Sequence, residues 1–223
     1  MNALILFGFG EFMAAIASIG LFVLVISGIF FTKEMNVKRK LRNADGKRIG
    51  EVRDGECVKI KGSIVLSGKV LQAPFSGRKC AYFHVMVQHP GRHGPNTIIE
   101  EELAGDVVLR NGIHYAIVDT GLIKSYIVTD KKYSSNLKRK PAPHLETFLN
   151  EHGYSTKGFW QWNHEYTFFE GILEKREVIA VFGKAQWRAA AEFGIDVPTD
   201  TVLHISSAEG NPVYLSDSPV AIV

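Results

Sequence analysis

The sequence predicts an N-terminal transmembrane helix followed by a mainly-β domain, a partly open barrel carrying one or two short helices. Three observations predict it. Residues 12–31 read FMAAIASIGLFVLVISGIFF, twenty residues without a charge. From Ile49 onward, short β-branched or alternating runs are cut by Gly, Pro and Asn, the punctuation of a many-stranded fold. Two segments, Glu56–Gly62 (ECVKIKG) and Arg176–Gly183 (REVIAVFG), share a charged entry, alternating aliphatics and a terminal glycine, as barrel strands bent at a glycine do. Many short strands with one inserted helix point to the OB-like type of barrel.

As a helix, the charge-free run matches the roughly 30 Å of a bilayer's hydrocarbon core. A cleaved signal peptide fits less well: no Lys or Arg precedes the run, and cleavage after Ala17 would strand Ile19–Phe31 as an apolar tail. Glu11, just outside the run, is placed in the headgroup zone. Residues 33–48 then carry seven basic residues (Lys33, Lys38, Arg39, Lys40, Arg42, Lys47 and Arg48), whereas residues 1–11 carry none. Basic flanks stay cytoplasmic, so the C-terminal part is expected in the cytoplasm, beside the inner or plasma membrane if the source is prokaryotic. The expected organisation is an anchor over 1–32, a basic juxtamembrane linker over 33–48 and one β-rich domain over 49–223.

The net charge of +3 divides into +4 over residues 1–48 and −1 over residues 49–223. The cations are therefore a collar, with Lys38, Arg39, Lys40 and Arg42 expected to face anionic lipid at about 1 kcal/mol each. A nucleic-acid binder would carry its excess on the domain, so no nucleic-acid partner is expected. Cys57 and Cys80 permit one disulfide, which a cytoplasmic location disfavours; both read as small hydrophobes on strands.

Within the domain, Val58 and Ile60 alternate with Lys59 and Lys61 as in a half-buried strand that ends at Gly62. KVLQA (69–73) and CAYFHVMVQ (80–88) flank a turn in which Pro74 presets its backbone angle and Gly77 accepts a left-handed one. QHPGRHGPN (88–96) reads as a loop by composition. DVVLRNGIHYAIVDTG (106–121) gives two strands about Asn111-Gly112, and KSYIVTD (124–130) follows as another. A helix begins near Pro143, with Leu145, Phe148 and Leu149 at helical spacing and Gly153 as its stop. YTFFEGIL (166–173) and EVIAVFG (177–183) are strands, KAQWRAAAEFG (184–194) a second short helix, and TVLHISS and PVYLSDSPVAIV close the chain.

Cys80, His84, His89 and His93 are the densest set of metal-ligand types. Cys80 and His84, however, lie roughly 13 Å apart along a strand, so no metal and no cofactor is expected. Ser76 stands in F-S-G-R, without the G-x-S-x-G elbow of a nucleophile, and reads as a turn serine. His164-Glu165 lacks the second histidine of a zinc-binding helix, and no phosphate-binding glycine loop occurs. Lys131-Lys132 and Lys138-Arg139-Lys140 bracket a loop, as a solvated basic edge or a second lipid contact. Phe159, Trp160, Trp162 and Tyr166 cluster as core or barrel-cap aromatics, or as residues at headgroup level.

Pro74-Phe75-Ser76-Gly77-Arg78-Lys79-Cys80, followed by Tyr82-Phe83, resembles the signature of the GIDE domain, also called the beside-a-membrane domain. Glu170-Gly-Ile-Leu with Val178-Ile-Ala-Val-Phe-Gly183 resembles it too, and the likeness covers roughly residues 50–185. The family includes mitochondria-anchored ubiquitin ligases and prokaryotic membrane proteins. In the ligases the activity resides in a C-terminal RING finger that holds two zinc ions through Cys and His. Here no cysteine follows Cys80 and a second membrane span is missing, so ubiquitin transfer is not expected to carry over. The resemblance implies a non-catalytic interaction or scaffold domain at the cytoplasmic membrane face, with an unidentified protein partner. Pro74, Ser76, Gly77 and Cys80 are then a structural turn and strand start. The rival readings are an OB-like nucleic-acid-binding module, which the domain's charge argues against, and an enzyme centred on Cys80 and His84.

Overall fold

The computed structural model describes residues 34–136, 138–156, 164–208 and 210–223. Residues 34–43 form a helix, α1. The strands are β1 (Gly46–Lys47), β2 (Cys57–Val65), β3 (Leu71–Gln72), β4 (Lys79–Gly91), β5 (Gly94–Ala104), β6 (Val107–Asn111) and β7 (His114–Val118). They continue as β8 (Ile123–Tyr126), β9 (Lys131–Ser134), β10 (Thr167–Glu174), β11 (Val178–Ala189), β12 (Thr201–Ser206) and β13 (Val213–Ser216). Two further helices are α2 (Pro143–Glu151) and α3 (Pro219–Ile222).

Five strands close on themselves in the order β2-β6-β7-β12-β11-β2. Only β7–β12 is parallel in that circuit; the other four pairings are antiparallel. This strand order is compatible with an OB-like Greek-key barrel. The two segments that echo one another in sequence form its seam, with Ile179 opposite Gly62 and Gly183 opposite Val58. β2 does not end at Gly62 but bends there, passing from β11 to β6. A Cβ at Gly62 would stand 3.0 Å from Leu109 Cβ and 3.1 Å from the Arg110 carbonyl oxygen, so the close approach of β6 favours glycine. Inward residues of all five strands, among them Val58, Ile60, Leu109, Val118, Val181 and Leu203, fill one core. Each such side chain contributes about 1.5–3 kcal/mol on burial.

The second sheet is assembled from two insertions into that barrel. β3, β4 and β5 lie between barrel strands β2 and β6; β9, α2 and β10 lie between β7 and β11. They pair in the order β3-β4-β10-β9, with β5 also on β4. One face of this sheet and α2 share a core of Phe75, Phe83, Val85, Leu145, Phe148 and Phe168, while Ala81, Tyr82 and Leu173 join the barrel core.

The fold-class expectation is corrected on these points. The folded part is not one partly open barrel but a closed five-stranded barrel plus a separate five-stranded sheet. Residues 12–31, read as a transmembrane helix, lie outside the described residues, and among the described residues no helix is long and apolar enough to cross a membrane. Two local expectations change as well. QHPGRHGPN is not a loop: β4 and β5 run through it to a tight hairpin at Gly91–Gly94. The short helix expected over 184–194 is confined to a 3-10 turn at Ala190–Phe193 closed by Gly194 (φ +63). Residues 184–189 are the end of β11, because Trp187 is held as strand by its N–H to Asp54 Oδ1 (2.8 Å) and its indole Nε1–H to the Val52 carbonyl (3.0 Å).

Candidate functional site

The two sequence segments that carry the family resemblance meet in space. Ala73 to Arg78 form a closed turn, with Ala73 N–H donating to the Arg78 carbonyl and Gly77 N–H to the Ala73 carbonyl, both at 2.9 Å. Gly77 adopts φ +69, where a side chain would be strained. Phe75 plugs the turn into the second core, edge-on to Phe148 (4.9 Å) and Phe168 (5.5 Å). On β10, Glu170 occupies the same inward stripe as Phe168 and Ile172 and is fully buried. Its Oε2 accepts the backbone N–H of Phe75 at 2.8 Å and of Ser76 at 3.0 Å. A buried carboxylate needs such donors, and hydrogen bonds to a charged acceptor are the strong ones. Gly171 follows because β10 runs against the 127–128 backbone: a Cβ there would lie 2.5 Å from the Val128 carbonyl oxygen.

Arg78 ties the turn to its neighbours. Its Nε–H donates to Ser76 Oγ (3.3 Å), its Nη1 to Glu174 Oε2 (3.1 Å), and its Nη2 lies 3.6 Å from Asp130 Oδ2. Asp130 in turn accepts the N–H of Ile172 at 2.9 Å. Cys80 is fully buried beside this group, and burial first, then the Glu170 charge, pushes its thiol pKa up to about 11. Such a thiol stays protonated and is a poor nucleophile. Ser76 Oγ accepts from Arg78 and has no base facing it among its described partners. The turn's outer side rims an open cleft of about 460 Å³ with Gln72 and His144.

A second titratable group lies where sheet meets barrel. Asp217 accepts the Val128 N–H through both carboxylate oxygens, at 2.8 and 3.1 Å, and Glu177 Oε2 accepts the Glu174 N–H at 2.9 Å. Burial, with neighbouring carboxylates, pushes Glu177 up to about 7 and Asp217 up to about 6. This pair can hold a proton near neutral pH. It does not line the cleft beside the 73–78 turn.

The sequence's other candidates are dispersed. His84 pairs with Glu100 (2.9 Å), His89 lies in an aromatic cluster with His164 and Tyr166, and His93 stands at the hairpin tip. The structure thus does not bring Cys80, His84, His89 and His93 together. Among the described residues no group of three His, Cys, Asp or Glu could hold a metal ion. Phe159, Trp160 and Trp162 lie outside the described residues; Tyr166 is buried, donating its hydroxyl to the Ser155 carbonyl at 2.9 Å.

Residues 33–48, read as a linker, include α1, which packs Val37 and Leu41 against Ala180 and Ala221 on the barrel's outer wall. Lys38 pairs with Glu34 at 2.6 Å and lies 4.1 Å over the Tyr126 ring. Lys40 lies 4.3 Å over Phe182. Arg39 donates to Asn36 at 3.1 Å, and Arg42 is exposed.

Sequence reasoning missed Glu170 as the organising residue. Its signal was present: in Tyr166, Phe168, Glu170, Ile172 a carboxylate occupies an inward position of a period-two stripe. Fold and site together define a closed five-stranded β-barrel bearing an inserted sheet in which Glu170 and Arg78 anchor a turn. No protein-family model, curated protein or solved structure matches the chain.

Proposed function

We propose that this chain is a non-catalytic interaction domain of the GIDE type, working at the cytoplasmic face of a membrane. The observation that carries the reading is the bond between the two motif segments. Glu170 commits its Oε2 to the Phe75 and Ser76 amides, and Arg78 joins the same turn to Glu174. Residues used in this way build a rigid rim beside a cleft and leave no activated nucleophile. The membrane-side placement is supported by the charge of residues 33–48 and by α1, which buries Val37 and Leu41 and leaves Arg39 and Arg42 exposed. Ubiquitin transfer forms no part of the proposal.

The nucleic-acid reading is disfavoured by the barrel's own packing. OB folds take oligonucleotides on the face of their second and third strands. Those strands are β6 and β7 here, and Val108, Tyr115 and Ile117 on that face are buried beneath Ala190 and Ile195. Proximity labelling from the full chain in cells tests the proposal, with Arg39→Glu/Arg42→Glu as the comparison. The expected result is a reproducible set of membrane-associated protein neighbours that charge reversal depletes several-fold. Neighbours drawn from nucleic-acid-bound proteins, unchanged by the reversal, would overturn it.

A further inference from the structure

Strand β9 is an edge: it pairs with β10, and no other described strand lies beside it. Ser135 N–H donates to the Tyr166 carbonyl at 2.9 Å, and Tyr133 stands opposite Phe168. By the alternation of an antiparallel ladder, the N–H and C=O of Lys132 and Ser134 therefore point outward. They open onto a cleft of about 360 Å³ whose apolar side is Tyr133, Pro141, Ala142 and Leu145 and whose charged rim is Lys132, Arg139 and Lys140. No carboxylate lines it. Among the described residues, none of Lys131, Lys132, Lys138, Arg139 and Lys140 takes part in an ion pair. Unpaired backbone groups, an apolar side and unneutralised cations coincide at one place.

We infer that β9 and this cleft receive an extended acidic segment of a partner protein by strand addition, with carboxylates on either side of an apolar residue. The inference rests on the interaction-domain reading and names its binding site. Main-chain hydrogen bonds to Lys132 and Ser134 supply the pairing, and alternate side chains supply the selectivity. The apolar residue enters beside Leu145 and Tyr133, while the carboxylates meet Lys132, Arg139 and Lys140. A flat lipid surface could meet the cations but not the outward amides. A second copy of this chain could offer the acidic β5 edge at Glu100–Glu102, but the Ile98 carbonyl on that edge is already taken by the Tyr154 hydroxyl at 3.0 Å.

The test is fluorescence anisotropy of the full chain with a labelled acetyl-Glu-Val-Glu-Val-Glu-amide peptide. Saturable binding is expected, weakened at least tenfold by Gln in place of the Glu residues, by alternate N-methylation of the peptide, and by raising salt from about 0.15 M to about 1 M. Lys132→Glu/Lys140→Glu should abolish it. Ser134→Pro should weaken it tenfold or more while leaving the fold intact, because it removes only an outward N–H on an edge strand. Absence of binding to the wild type, or equal binding to the N-methylated peptide, overturns the inference. So does binding only to vesicles containing anionic phospholipid, or self-association that Lys132→Glu/Lys140→Glu abolishes while the peptide stays unbound. If the peptide fails and proximity labelling succeeds, this site is wrong and the interaction-domain reading stands. If labelling fails while the peptide binds, the reverse holds.

Discussion

The barrel and the inserted sheet meet the same difficulty, an unpaired strand edge, in opposite ways. The barrel abolishes the edge by closing β2 onto β11, and it hides its β6–β7 face beneath Ala190 and Ile195. The sheet keeps the β9 edge open, has its β5 edge met by His152 and Tyr154, and charges both, with Glu100, Glu101 and Glu102 on β5 and Lys131 and Lys132 on β9. Charge on an edge deters indiscriminate pairing yet leaves backbone groups for a matched partner. Glu170 and Arg78 also sit on or against the sheet, and the Glu177–Asp217 pair lies at its junction with the barrel. On the interaction-domain proposal this difference amounts to a division of labour, with the barrel as scaffold and recognition on the sheet.

The largest effect should come from removing one organising residue from each region. Leu109→Ala opens a void in a fully buried barrel position and should cost about 2–5 kcal/mol. Glu170→Ala strips the Phe75 and Ser76 amides of their acceptor inside a core and should cost about 2–4 kcal/mol. Denaturant unfolding gives the totals, and hydrogen exchange divides them. Leu109→Ala should lower protection throughout, whereas Glu170→Ala should release amides of β3, β4 and β10 before those of β6, β7 and β12. Equal loss in both regions would mean one cooperative unit and would break the comparison.

Much of the barrel was legible in the sequence because its signals are local. The Asn111-Gly112 turn and the echo that became the β2–β11 seam each need only a short window, as does the α2 stripe ended at Gly153 within the second insertion. The inserted sheet was not, because its pairings join segments far apart in the chain: Val85 with Glu170, Glu170 with Lys131. Composition misled at residues 88–96, where Gly and Pro sit within a long hairpin, and at 184–189, where bonds to Val52 and Asp54 override the alanine-rich run's helix propensity. Glu170 was hidden for a related reason: its donors lie about a hundred positions away.

A smaller effect, of opposite sign, should come from the junction. Glu177 is raised from 4.5 to about 7 by burial and by neighbouring carboxylates, so the folded state resists its ionisation. A carboxyl raised in the folded state costs nothing below the unfolded value; the penalty grows from about pH 4.5 to about pH 7 and is constant above. Glu177→Gln keeps an acceptor for the Glu174 N–H and should stabilise the protein by about 1 kcal/mol above pH 7, after allowance for solvent screening. The gain should vanish near pH 4.5. A constant difference between variant and wild type across that range would show that the carboxyl is not strained.

The smallest effect sharpens the comparison most, because it gives the two regions opposite responses to acid. His152 donates from Nδ1 to the Phe148 carbonyl at 2.7 Å and from Nε2 to Glu101 at 2.5 Å, tying α2 to β5. Two donated bonds describe the imidazolium, and its pKa is raised above 6.5, first by Glu101 and then by the Phe148 carbonyl. That support is fully present below the unfolded value of 6.5 and is lost as pH rises through the higher folded value. His204, on barrel strand β12 against the Phe193 ring, has its pKa lowered by burial, so the barrel gives up stability as pH falls below 6.5. Lowering the pH from about 7.5 to about 5.5 should therefore raise amide protection in α2 and β5 while reducing it in β12. His152→Gln should cancel the first response at a cost below about 1 kcal/mol in mild acid, because the pair is partly exposed, and should match the wild type in alkaline buffer. It should leave the second response untouched. If His152→Gln shifts protection in β12 as much as in β5, the two regions titrate as one body and the division between scaffold and recognition sheet fails.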